Sequence, residues 1–145
     1  YRDYEKLFPV LEELNIGFVA FSPLANGLLT AAYHSHGEFE RPGDYRSMMP
    51  QFTEEGLKEN ERFMLWIRQL AEEKNATPAQ ISLAWMRAKK AYIVPIPGTR
   101  KVNRLEENMK SADIKLTQDE VKSIDDRLNH MPMSQVFGGS KIQKK

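Results

Sequence analysis

The residues of this chain best placed to do chemistry follow the apolar run Ala91-Tyr92-Ile93-Val94-Pro95-Ile96-Pro97, which stops at Gly98-Thr99 and opens into the charged segment Arg100 to Asn108. A buried strand that ends in a glycine turn and leads into a basic helix start is suited to holding phosphate. The first N–H groups of a helix are unpaired and carry partial positive charge, and glycine lets the backbone come close to an anion. A proline-rich turn before a solvated basic helix start has the same composition, so the pattern by itself leaves both readings open. The run Gly17-Phe18-Val19-Ala20-Phe21-Ser22-Pro23-Leu24 breaks in a similar way, and there the alternative is an ordinary strand-ending turn.

Such a site needs elements that hold its two halves. Leu7, Val10, Leu11 and Leu14 give one helical stripe from about Tyr4 to Asn15, stopped by Gly17. Phe18 to Phe21 follows as a strand whose continuous apolar character predicts cover on both faces, as in a parallel sheet. From about Ala25 to Pro50 periodicity is lost among Gly, Pro, His, Asp and Ser, which predicts a long excursion. Order returns near Thr53, with Phe63, Met64, Ile67, Leu70 and Ala71 marking a helix to about Lys74. Thr77-Pro78-Ala79-Gln80 then supplies a capping box with proline at the first helical position, and Ile81, Ala84, Trp85 and Ala88 form the expected buried face. After a strand near Tyr92 to Ile96, Leu105, Met109 and Ala112 give another helix face. Thr117-Gln118-Asp119-Glu120 caps a last helix through Val121, Ile124 and Leu128.

Composition narrows the partners. The 145 residues fit one domain, and 21 Lys and Arg against 20 Asp and Glu leave a net charge of +1, so any anion site is local and suits a small ligand rather than nucleic acid or a membrane surface. The absence of cysteine removes disulfides, thiolate catalysis and Cys-ligated metal, and fits a cytoplasmic location. No apolar stretch approaches the roughly 20 residues needed to span a bilayer, and the N-terminus lacks a signal-peptide layout. His34, His36 and His130 lack a partner ligand at convincing spacing and read as solvated, while Trp66 and Trp85 read as core and Glu72-Glu73-Lys74 as a wet helix end. Two strands alone leave edges and apolar surface in water, so the chain is expected to dock onto strands outside it or to associate with itself. Its first residue, Tyr rather than Met, adds to the expectation of a piece of a larger domain.

Taken together, Phe21-Ser22-Pro23-Leu24-Ala25-Asn26-Gly27-Leu28-Leu29-Thr30, Thr77 to Trp85, Ile93 to Arg100 and Arg104-Leu105-Glu106-Glu107-Asn108 resemble, in order and spacing, the C-terminal half of an aldo-keto reductase over roughly Leu7 to His130. The resemblance implies an α/β fold, the C-terminal part of a (β/α)8 TIM barrel with strands seven and eight and their helices, incomplete as a lone chain. Residues 1–145 would then be one portion of a single barrel domain, with an irregular tail over 131–145. It implies an NADP(H)-dependent oxidoreductase that reduces aldehydes and ketones by hydride transfer without metal. The family's catalytic Asp, Tyr, Lys and His belong to the N-terminal half, so no catalytic residue is placed on this chain, and Tyr1, Tyr4 and Tyr33 take no such role. The implied partners are the missing half of the barrel or a second copy, and a small carbonyl substrate in the intact protein.

What carries over residue by residue is cofactor binding, at the strand ends where barrel phosphate sites form. Ser22, Pro23, Leu24, Asn26, Gly27 and Leu28 match the family's loop under the pyrophosphate and nicotinamide ribose, with Ala25 where members often carry Gly. Ile96, Gly98, Thr99, Arg100 and Arg104 match the region around the adenosine 2′-phosphate, where a guanidinium pairs two oxygens and a hydroxyl donates a third bond. Glu107 and Asn108 match positions that hydrogen-bond adenine. Asp44-Tyr45-Arg46-Ser47 resembles a loop that folds over the cofactor, with Arg46 as phosphate contact; an Asx-type surface turn with an incidental Arg reads equally well. The rival functions are a non-catalytic NADP-binding or partner-binding module of the same fold, and a folded remnant without ligand.

Overall fold

Two short strands, β1 (Phe18–Ala20) and β2 (Ile93–Pro95), run parallel, with Phe18 opposite Ile93, Val19 opposite Val94 and Ala20 opposite Pro95. The pairing extends past both ends, where Phe18 N–H donates to the Tyr92 carbonyl at 2.9 Å and Ile96 N–H to the Ala20 carbonyl at 3.1 Å. This arrangement comes from a computed structural model, which describes residues 2–130, so the tail expected over 131–145 lies outside the described residues. Parallel strands need a long crossover. Here it contains α2 (Glu54–Glu73) and α3 (Pro78–Lys89), while α1 (Phe8–Glu13) precedes β1, and α4 (Val102–Lys110) and α5 (Gln118–His130) follow β2.

The three best-packed helices are those with the strongest sequence signals. Thr53 caps α2 by accepting from Gly56 N–H at 3.0 Å, and the stripe Phe63, Met64, Ile67, Leu70 and Ala71 is buried. At α3, Thr77 Oγ1 accepts from Gln80 N–H at 3.2 Å while Gln80 Oε1 accepts from Thr77 N–H at 2.9 Å. The second nitrogen of Gln80 reaches out of the helix and donates to the Glu107 carbonyl in α4 at 2.8 Å. Helix α5 opens with the same reciprocal bonds between Thr117 and Glu120 and buries Val121 and Ile124. Trp85 is buried and donates to Asp125 at 3.0 Å; Trp66 is half-buried beneath the Arg127 guanidinium. Lys74 is not simply solvated, because it ties the end of α2 to Glu120 at 2.7 Å.

Four expectations about burial need correction. The stripe Leu7, Val10 and Leu14 faces outward, and the residue that α1 buries is Phe8, which packs edge-on against Phe18 and Tyr92. Ala88 is exposed, since α3 buries its face only as far as Met86. Leu105, Met109 and Ala112 are also exposed, because α4 turns Asn108 inward. The sheet is covered on one face: Ala20 and Ile93 are buried, whereas Val19, Phe21, Val94 and Ile96 keep 60, 62, 54 and 50% of their surface exposed.

The stretch read as an excursion is instead a chain of 3-10 turns at Ala25–Thr30, His36–Phe39, Tyr45–Met48 and Pro50–Phe52. Leu28, Phe39 and Phe52 anchor it in the core, with Phe39 and Phe52 ring centroids 4.5 Å apart. The last of these turns meets α2 so closely that a Cβ on Gly56 would lie 2.1 Å from the Pro50 carbonyl oxygen.

Candidate functional site

Where β1 and β2 end, their following loops form two walls of a cleft of about 440 Å³. Ser22, Pro23, Leu24, Asn26, Gly27 and Thr30 line it from the β1 side, Ile96, Pro97, Gly98 and Thr99 from the β2 side, and Arg104, Glu107 and Asn108 from α4. Ala79 at the start of α3 and Tyr45 complete it.

The β1 wall is built from unusual backbone. Ser22, Ala25, Asn26 and Gly27 all have positive φ, at 46, 58 and 100° for Ser22, Asn26 and Gly27, and 48° for Ala25. Left-handed conformation costs an L-residue with a Cβ roughly 1–2 kcal/mol, which explains why Gly at position 25 would suit this turn. Thr30 donates to the Gly27 carbonyl at 2.6 Å and closes the turn. Asn26 Oδ1 accepts from the Tyr45 hydroxyl at 2.9 Å, while Asn26 Nδ2 is shielded from solvent and has no partner among the described residues.

The β2 wall is open and carries Arg104 and Glu107. Lys101, which precedes α4, makes no side-chain cap, and the Arg104 N–H is taken by the Lys101 carbonyl and by Asn103 Oδ1, so among the described residues the N–H groups of Val102 and Asn103 are those that keep their partial charge open. Thr99 Oγ1 accepts from Lys101 N–H at 3.1 Å, which leaves its proton available for donation. Arg104 Nη1 meets Glu107 Oε2 at 2.6 Å, with half of the arginine side chain still exposed. Gly98 does not have a positive φ, and a Cβ built there would touch nothing within 4 Å. The fold itself therefore does not demand glycine at 98; the space beside it is open.

The sequence reading and the geometry part company at three residues. Leu28 is buried in the core, since the turn that presents Asn26 and Gly27 to the cleft points Leu28 the other way. Arg100 is exposed and lies outside the cleft lining. Arg46 is held by Asp44, with Nε at 2.9 Å from Oδ1 and Nη2 at 2.6 Å from Oδ2, and its Nη1 donates to the Tyr33 hydroxyl at 2.8 Å. Asp44 also accepts from Arg46 N–H at 3.1 Å, the Asx-type turn that the sequence allowed. The guanidinium pulls the Asp44 carboxyl from 3.8 down to about 2. Tyr45, which carries no charge to signal it, is the residue of this loop that reaches the cleft.

The histidines serve the fold: His36 Nδ1 lies 2.8 Å from the Phe52 carbonyl and His34 Nε2 lies 3.1 Å from Arg68 Nη2. Among the described residues no group of three or more His, Asp or Glu could hold a metal ion, and no helix is long and apolar enough to cross a membrane.

Set beside known proteins, this arrangement has a clear affiliation. The model of the aldo/keto reductase family matches residues 1–129, and the chain belongs to that family. It is 40% identical over 118 residues to the aldo-keto reductase str7 of Strobilurus tenacellus, covering 81% of this chain and 35% of that protein. It is 41% identical over 112 residues to the aldo-keto reductase yakc [NADP(+)] of Schizosaccharomyces pombe, covering 77% of this chain and 33% of that one. A thermostable aldo-keto reductase solved with the inhibitor epalrestat superposes with a TM-score of 0.58 at 28% identity, over 87% of this chain and 35% of the other. An aldose reductase from Giardia lamblia shares the fold, with a TM-score of 0.57 at 19% identity over 95% and 36% of the two chains. The chain thus spans about a third of the length of the relatives it matches.

Proposed function

We propose that this chain supplies the seventh and eighth β/α units of an aldo-keto reductase barrel, and with them the part of the site that holds the adenosine end of NADP(H), for carbonyl reduction by the intact protein. The observation that carries this reading is the convergence of both strand-end loops and the start of α4 on one cleft. The residues fit the group. Arg104 and the Thr99 hydroxyl offer donors to a 2′-phosphate, the first two N–H groups of α4 add favourable potential, and the open space beside Gly98 admits an anion close to the backbone. The partnerless Asn26 Nδ2 is a buried donor that an acceptor on the pyrophosphate side would satisfy.

NADPH supplies the hydride when bound. The chain's own part is to grip and orient: Glu107 and Asn108 at adenine, Ser22, Pro23, Leu24, Asn26 and Gly27 beneath pyrophosphate and ribose, and Arg104 as the cation that favours NADP over NAD. The name of the yeast relative, which carries NADP(+), supports the same cofactor class. The acid and base of the reaction belong to other units of the barrel.

Fluorescence titration of the chain with NADPH and NADH tests the proposal. Saturable binding that is tighter for NADPH is the expected outcome, and equal affinities or no binding to either nucleotide would overturn it.

A further inference from the structure

Resting on that nucleotide reading, we propose that Arg46 is a positioning residue: it locks the turn Tyr45–Met48 against the turn Ala25–Thr30, so that Tyr45, and not Arg46, is the ligand-facing group of this loop. Three of the five N–H donors of the guanidinium are engaged inside this loop region. Nε and Nη2 donate to Asp44, Nη1 donates to the Tyr33 hydroxyl, and Cζ lies 5.0 Å from the centroid of Tyr33 and 4.8 Å from that of Phe39. Both arginines meet a carboxylate, but Arg46 is 24% exposed and bound to both oxygens of Asp44, whereas Arg104 on the opposite wall is 49% exposed and meets one oxygen of Glu107.

What this locked arginine holds is the floor of the cleft. Tyr33 and Arg46 back directly onto Gly27, where a Cβ would come within 3.0 Å of Tyr33 Cε2 and 3.8 Å of Arg46 Nη1. The next residue along, Tyr45, is exposed on the cleft wall and donates to Asn26 Oδ1, so one turn pins the left-handed segment of the other. Through these contacts the Asp44–Arg46 pair sets where Asn26 and Gly27 stand, and the Tyr45 ring forms an aromatic wall above them.

Two measurements decide this, with D44N and R46K as variants. D44N keeps a side chain able to cap the turn but removes the charge pairing, and R46K keeps the charge but cannot serve Asp44 and Tyr33 together. In the nucleotide-free chain, amide hydrogen exchange over residues 25–31 should quicken by about fivefold or more in both variants, as expected when charge-assisted bonds weaken. Unchanged exchange there would overturn the positioning role. In titrations, both variants should weaken NADPH and NADH by similar factors, and Y45A should do the same. The opposite result, D44N tightening NADPH alone because Arg46 is released toward the phosphate, would make Arg46 a ligand contact and refute the proposal. If the unaltered chain binds neither nucleotide, the cofactor reading fails, and the exchange measurement still decides the positioning claim.

Discussion

Replacing Arg104 with alanine separates a phosphate-binding arginine from one that serves only the helix. Among the described residues its charged partner in the nucleotide-free chain is Glu107, at 2.6 Å and three residues on, with the arginine 49% exposed. Such an exposed intrahelical pair contributes only about 0.2–0.5 kcal/mol, so the folded chain should lose almost no stability. Hydrogen bonds between a guanidinium and a phosphate contribute about 1.5–3 kcal/mol. Subtracting the competing pair leaves roughly 1–2.8 kcal/mol, which is about a 5- to 100-fold rise in the Kd for NADPH. NADH lacks the 2′-phosphate, and its Kd should move by less than about twofold. The assay is a pair of fluorescence titrations at one fixed ionic strength, because the contact is partly exposed and salt screens it. Equal weakening of both nucleotides, or no change for NADPH, would refute the assignment of Arg104 to the 2′-phosphate.

Other perturbations probe the frame around the cleft. Gly98→Ala should leave stability within about 0.5 kcal/mol yet weaken nucleotide binding, since a Cβ there meets only the space reserved for the ligand; a loss of stability seen by urea denaturation would contradict this. Gly56→Ala should destabilise by about 2 kcal/mol or more despite alanine's better helix propensity, because its Cβ would collide with the Pro50 carbonyl at 2.1 Å. A variant as stable as the parent in urea would show that the Pro50–Phe52 turn yields freely. Ala25→Gly should change stability by no more than about 1 kcal/mol, because relief of left-handed strain is offset by the added freedom of the unfolded chain and the loss of a buried methyl; a loss of about 2 kcal/mol or more in urea would refute the strain account. Asp44 has a folded pKa depressed from 3.8 to about 2, so its contribution is present above 3.8 and is lost as pH falls toward 2. Acid titration of stability should therefore be less steep in D44N across that window, and identical slopes would count against the Asp44–Arg46 pair.

The helices that hold the site were legible because their signals are local. A threonine followed three residues later by Gln or Glu marks α3 and α5, and a stripe at helical spacing marks α2, and each buries most of the face its pattern marks, with Ala88 at the end of α3 as the exception. The segment over 25–52 was not legible, since 3-10 turns of three to six residues give no 3.6-residue period and bury single residues such as Phe39 and Phe52. Apolar pattern also misled at β1 and α4. Val19 and Met109 look like core residues in the sequence, yet both are exposed, because pattern records which faces are apolar and says nothing of what covers them. At the cleft, the residues that the resemblance drew from the two strand ends and α4 line one cavity, apart from Leu28 and Arg100. Tyr45 lines it where the resemblance pointed to Arg46, because the hydrogen bonds that hold the Arg46 guanidinium are visible only in three dimensions.

Gln80 serves two masters with one amide. Its oxygen completes the start of α3 and its nitrogen grips the backbone of α4 at Glu107, the residue that faces the cleft. Glutamate would close the α3 box equally well. It has no N–H to extend, and it would set a carboxylate oxygen against the Glu107 carbonyl, pushing α4 off its seat. A substitution harmless to most capped helices would here loosen a wall of the cleft from behind, while leaving every residue that lines it unchanged.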